Sequence, residues 1–212
     1  KLGTMASIDA SAGIVRNADT RSVPFNGAMM NNYRTYTLGT DSMSFSRTKT
    51  ASIRLSWLNT ATMLSWNVYA IWQQISQDHY FSYLYAGDLT LINPVWADNR
   101  HTSFSGVGNV KKIWRDARLT LKGSASYSYN KALASQNSVE GYIRYNAANV
   151  QVGASWDKFS WLTANLTIAG NITWKRPDAF SETDNILKNA YCSLSLDFTP
   201  IKALRLYADA TG

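Results

Sequence analysis

The sequence predicts an all-β fold: an antiparallel transmembrane β-barrel, seen here as a segment of a larger one. Three observations predict it. Apolar and polar residues alternate with a period of two over long stretches, and helical periodicity is absent almost everywhere. The polar side of that alternation is built mainly from Ser, Thr, Asn and Tyr. The connections between alternating stretches are segregated by length, short ones at one end and long ones at the other.

Composition narrows the field before any element is placed. Charged residues make up 17% of the chain, against roughly 25% in a typical soluble domain. Ser, Thr and Asn together exceed a quarter of the 212 residues. Disorder is excluded, because a chain that is 45% hydrophobic and 13% aromatic can bury enough surface to offset its ordering entropy. A membrane-spanning helix is excluded too. The longest purely apolar runs are about five residues, as at 68–72, where a helical span needs ~20. The single Cys192 rules out a disulfide framework. A formal net charge of +7 raises the question of nucleic acid. The basic residues are dispersed, however, and the densest run, Lys111-Lys112-Ile113-Trp114-Arg115, is followed at once by Asp116. With no zinc-finger spacing or ribonucleoprotein-type motif, no nucleic-acid partner is expected. The chain starts at Lys1 without a targeting segment and stops in mid-alternation over 204–212, so a piece of a longer protein is expected.

The elements follow in order. Residues 51–58 set Ala51, Ile53, Leu55 and Trp57 against Ser52, Arg54 and Ser56. Residues 61–73 set Leu64, Trp66, Val68, Ala70 and Trp72 against Ser65, Asn67, Tyr69 and Gln73. In 117–130 the alternation is complete: Leu119, Leu121, Gly123, Ala125 and Tyr127 on one face, Arg118, Thr120, Lys122, Ser124 and Ser126 on the other. Because side-chain direction flips at each step, this is one long two-faced strand. Residues 140–156 alternate with a shift of parity near Ala147-Ala148, which predicts a bulge. Residues 161–174 and 190–199 repeat the pattern, with Leu166, Ile168, Cys192 and Leu194 on the apolar side. Short turns are expected at Asn59-Thr60, Arg115-Asp116, 157–160 and 200–202, and long loops over 10–44, 75–101, 131–139 and 175–189. About nine strands result.

Strands of this length and polarity suit a bilayer, which asks for ~9–11 tilted residues, an apolar exterior and aromatic girdles. Trp57 and Trp156 sit beside short turns, and Trp72 and Trp174 near the far ends of their strands, as two girdles would. From Leu162 to Trp174 the strand covers ~40 Å, or ~30 Å after tilting. Nine is odd, whereas single-chain bacterial barrels have even counts, which favours part of a larger wall. Arg54, Arg118, Lys122, Arg144 and Arg205 are then expected to line the lumen. The long segment from His79, Tyr80, Tyr83 and Tyr85 to Trp96, Asp98 and Arg100 is expected to be an aromatic surface loop able to stack on a ligand. The alternation of Tyr80, Ser82 and Leu84 with Phe81, Tyr83 and Tyr85 also fits strands rising above the membrane, which is the favoured of the two readings. Neither His79 nor His101 has metal-pair spacing, and no nucleophile has an evident base. No metal, cofactor or enzymatic activity is expected.

The stretch Val110-Lys-Lys-Ile-Trp-Arg-Asp-Ala-Arg-Leu-Thr-Leu121 resembles the strand–turn–strand units of the TonB-dependent outer-membrane transporters of Bacteroidota, the starch-utilisation type. Thr199-Pro-Ile-Lys-Ala-Leu-Arg-Leu206 and Trp156-Asp-Lys-Phe159 are similar to their periplasmic turns. The resemblance runs in style over most of 47–212 and rests on loose motifs. It implies a 22-stranded barrel in the cell outer membrane, with residues 1–212 a part of it. It also implies a plug domain coupled to TonB, and a surface lipoprotein as partner. The function it implies is uptake of a nutrient such as an oligosaccharide, peptide or chelate. A passive porin or structural barrel, and a soluble carbohydrate-binding β-sandwich, are the other readings the pattern allows.

Overall fold

In the computed structural model the chain is a single eleven-stranded sheet. The structure describes residues 3–18, 27–39, 43–137, 139–177, 185–201 and 204–211. The strands are β1 (Thr4–Ala18), β2 (Ala28–Asn32), β3 (Thr35–Leu38), β4 (Phe45–Asn59), β5 (Leu64–Ala86) and β6 (Leu89–Trp114). They continue with β7 (Leu119–Gln136), β8 (Val139–Phe159), β9 (Leu162–Pro177), β10 (Asn185–Ile201) and β11 (Leu204–Thr211). Nine of them form an antiparallel path, β1-β4-β5-β6-β7-β8-β9-β10-β11, and the short β2 and β3 lie off it. No helix occurs among the described residues. Among those residues β1 pairs only with β4 and β11 only with β10, so the sheet is open at both edges.

Local chemistry explains the short ends. The Asn59 side-chain oxygen accepts from the backbone N–H groups of Ala61 and Thr62, both at 3.0 Å. This is the turn that Asn makes readily with its own backbone. Met63 (φ 53°) closes that connection in the left-handed region. At the next, the Arg118 N–H donates to the Arg115 carbonyl at 3.1 Å, and Arg118 itself has φ 47°. Arg118 therefore belongs to a turn and not to the polar face of β7.

Register turns the alternation of each strand into two continuous faces. One row runs Trp57–Trp66–Val110–Gly123–Val152–Ile168–Cys192 across seven strands. The next runs Leu55–Val68–Gly108–Ala125–Val150–Gly170–Ala190. Among the described residues no second layer covers this apolar face: Val150 is 55% exposed, Ile168 52% and Leu166 37%. Tyr80 is the one hydrophobic side chain that is buried among the described residues. A sandwich would bury a core between two sheets, and this sheet has none.

Two expectations about the elements are corrected. The β7–β8 register is unbroken from Leu119↔Trp156 to Gln136↔Val139, so there is no bulge at Ala147-Ala148. The apolar pattern lapses there because β8 leaves the apolar band, with Asn146 and Arg144 following Ala148 on the same face. The segments 75–101 and 131–139 are largely strand and not loop. β5 and β6 continue as a hairpin to a turn at Gly87-Asp88, where Gly87 takes φ 60°. The Tyr80/Ser82/Leu84 alternation that marked the segment is that of a strand.

That hairpin changes neighbours along its length. At its base β5 pairs with β4, and β6 with β7. Beyond a register shift between Gln77 and His79, β5 instead runs parallel to β7 through Ser82↔Ser135 and Tyr83↔Gln136. There β6 runs parallel to β3 through Thr35↔Thr90 and Tyr36↔Leu91. The exchange requires the two-stranded ribbon to turn over. A bulge and the strong twist of isolated ribbons both favour such a turn.

Candidate functional site

The polar face of the wall is the first candidate. Its middle row reads Arg54–Tyr69–Val107–Ser126–Asn149–Asn171–Asn189. Side-chain amides and hydroxyls bond across the strands. Asn171 donates to Asn149 at 2.7 Å, Asn149 to Ser126 at 3.2 Å, and Asn109 to Asn67 at 3.0 Å. Ser7 and Ser56 meet at 2.6 Å, Ser11 and Ser52 at 2.8 Å. A concavity of about 430 Å³ is lined by Ser65, Asn67, Asn109, Lys111, Lys122 and Asn165. Lys111 and Lys122 are cross-strand partners on this face. The Arg54 guanidinium lies over the Tyr69 ring at 5.6 Å, opposite Asp9. Such a surface offers many neutral donors and acceptors with a few cations.

Arg54 and Lys122 thus stand on the polar face. Arg144 does not: its register partners Lys131 and Arg176 share the apolar face, one row beyond Asn146. Alternation was misread there because the expected bulge would have inverted the parity. The Arg205 side chain lies outside the described residues.

The hairpin is the second candidate, and the structure divides its predicted residues. His79 (1% exposed) and Tyr80 (4%) are buried. The His79 ring packs against Phe81 at 5.3 Å and Trp96 at 5.8 Å, with Nδ1 3.1 Å from Asp78 Oδ1. The Tyr80 hydroxyl donates to Glu140, and Ser82 and Ser135 share a hydrogen bond at 3.0 Å. Asn137 (φ 48°) locks the crossing. Its N–H donates to the Tyr83 carbonyl, and its side-chain oxygen accepts from the Tyr85 N–H, both at 2.9 Å. His79 and Tyr80 are therefore internal supports and offer nothing to a ligand. Tyr83, Tyr85 and Trp96 remain exposed on one face of the ribbon. Asp98 is exposed in the bulge, and Arg100 pairs with Ser76 away from that aromatic face.

Burial, with the Glu140 hydrogen bond and charge adding to it, pushes the Tyr80 hydroxyl from 10.0 up to about 12. A raised value means that the neutral phenol is favoured in the folded hairpin. Its contribution is complete below pH 10 and is lost as the pH rises through about 12. We therefore expect the hairpin to loosen over that interval, followed by near-ultraviolet dichroism, and Tyr80→Phe to flatten the response.

The predicted girdle residues fall into rows on the apolar face. Trp72–Phe104–Tyr129–Asn146–Trp174 is one row across five strands. Toward the short turns, Trp114–Leu119–Trp156 form another, with Trp57 stacked on Trp66 at 6.4 Å two rows inward. Phe159 stacks on Trp161 at 4.9 Å, and Trp161 meets Phe198 edge-on at 5.4 Å.

The sequence matches no known protein family, and no curated protein matches it. The geometry defines an all-β, largely antiparallel, single-layer sheet with one apolar and one hydroxyl- and amide-rich face.

Proposed function

We propose that this chain is part of the wall of a transmembrane β-barrel of a bacterial outer membrane, and that the barrel takes up a nutrient. One observation carries the membrane reading: a continuous apolar face, uncovered by any second layer and bounded by two aromatic rows. In water such a surface would drive association. In a bilayer it is the exterior of a barrel, and every backbone group finds a partner once the sheet closes. Closure would bring in strands beyond those described, and the sequence resemblance implies 22 in all. The short turns then lie on the periplasmic side and the β5–β6 hairpin at the cell surface.

The opposite face would line the lumen. Its amides and hydroxyls suit a neutral, hydroxyl-bearing solute such as an oligosaccharide, or a peptide backbone. Coupling to TonB through a plug is the transport mode that the sequence resemblance favours, with a surface lipoprotein as partner. Two measurements test the reading. In vesicles of phosphatidylcholine brominated along its acyl chains, tryptophan fluorescence of the full-length protein should be strongly quenched. Unchanged emission would place Trp57, Trp72, Trp156 and Trp174 out of contact with lipid and end the proposal. In planar bilayers a plugged transporter should pass almost no current, whereas steady ohmic conductance would favour a passive porin.

A further inference from the structure

Two lysines face each other on the polar side of the wall. Lys111 of β6 and Lys122 of β7 are direct cross-strand partners, and both line the concavity of about 430 Å³. Among the described residues neither side chain makes a hydrogen bond or an ion pair. Their row reads Ser65–Lys111–Lys122–Gly153–Thr167 and contains no carboxylate. The flanking rows, from Asn67 to Gln151 and from Ile113 to Asn165, contain none either. Lys112 differs. It stands on the apolar face, donates to the Thr62 carbonyl and lies over the Trp114 ring at 5.6 Å.

Space and neutral hydrogen-bonding groups come with the two charges. Gly153, next in the row after Lys122, has no side chain, so the floor of the concavity drops there. A Cβ at that position would meet only the Leu166 carbonyl oxygen at 3.7 Å and Thr167 Oγ1 at 3.9 Å. The Asn109 amide donates to the Asn67 oxygen at 3.0 Å, which leaves the Asn67 N–H groups and the Asn109 oxygen for a ligand. Clefts of roughly 300–1,000 Å³ hold small ligands. Like charges directly opposite one another across strands are destabilising, and basic side chains lining a pore select anions. Carboxylate and phosphate oxygens accept charge-assisted bonds from Lys.

We propose that this concavity binds a hydroxyl-bearing solute that carries an acidic group, a carboxylate or a phosphate ester, as an acidic sugar does. Lys111 and Lys122 hold the acidic group, and Asn67, Asn109 and Asn165 take the hydroxyls. The inference rests on the uptake reading above and adds a negative charge to the solute.

The test titrates the full-length protein in detergent micelles by calorimetry. The probes are a galacturonate disaccharide against its methyl ester, and glucose phosphate against glucose. The ester keeps every ring hydroxyl and loses the charge. The charged member of a pair should bind about ten-fold tighter, less so as salt is raised, and the tighter acid names the group. Lys111→Gln and Lys122→Gln should each lower that preference several-fold. Gly153→Val fills the floor and should weaken both members of a pair. Lys112→Gln removes the same charge on the opposite face and should leave binding unchanged. Equal affinity for charged and neutral probes would overturn the inference, as would acetate competing as well as galacturonate. So would a loss from Lys112→Gln equal to that from Lys111→Gln. Each of these results, with lipid quenching of tryptophan intact, leaves the membrane reading standing. Absence of quenching by brominated phosphatidylcholine would remove that reading, and this inference with it.

Discussion

Val150→Arg is expected to destabilise the assembled protein by about 2–4 kcal/mol, whereas Gln151→Arg, one residue along, should change stability by less than about 0.5 kcal/mol. Val150 stands near the middle of the apolar band between Ala125 and Gly170, is 55% exposed, and has no protein layer above it. In hydrocarbon a guanidinium there must desolvate or drag water inward. Gln151 points to the opposite face, between Ser124 and Ala169, where a cation meets water and amides. Urea titration of the protein in vesicles, followed by tryptophan emission, gives both values. Equal tolerance at the two positions would mean that water bathes both faces.

Tyr80→Ala should open the β5–β6 hairpin while leaving the wall intact. Tyr80 is the only buried hydrophobic residue among the described residues, and its hydroxyl holds Glu140 of β8. Truncation leaves a cavity and removes the hydroxyl that bonds Glu140, at a local cost of about 3 kcal/mol. Hydrogen exchange across 79–96 should then quicken on the order of a hundred-fold, with residues 117–130 unaffected. Tyr80→Phe keeps the packing and should cost about 1 kcal/mol. Uniform loss of protection along the whole sheet would show that the hairpin and the wall are one cooperative unit.

The contrast between these two experiments follows the division between what was legible and what was not. Val150 and Gln151 could be assigned to opposite faces from spacing alone, because alternation is a property of neighbours in the chain. The pairing of Trp72 with Phe104 and the sharing of one row by Trp72 and Trp174 follow from register. The short turns at Asn59 and Arg115 fix the register of β4–β5 and β6–β7 only. The β5–β6 and β7–β8 pairings run through connections that the sequence presented as long loops, so the structure had to set them. The burial of His79 and Tyr80 had no such local signature. In sequence they sit in an aromatic stretch that reads as exposed, but the hairpin folds Trp96 onto His79, and Glu140 of β8, sixty residues away, holds Tyr80.

Arg144 shows the same boundary from the other side. Its parity was misjudged because a chemical change along β8 mimics a geometric one. Only the unbroken pairing with β7 distinguishes polar residues on the apolar face from a bulge that swaps the faces. Once placed, Arg144 joins Lys131 and Arg176, which are 13 and 32 residues distant in the chain and are adjacent only across strands.

By itself the sequence determined the strand class, the two-faced chemistry and the ends at which the chain turns, since each depends on residues within a few positions of one another. The tertiary structure alone decided that the apolar face is left uncovered, that the hairpin turns over to bury a polar cluster, and that cations line one edge. Those features are made by residues far apart in the chain, and what brings them together is hydrogen-bonded register between strands.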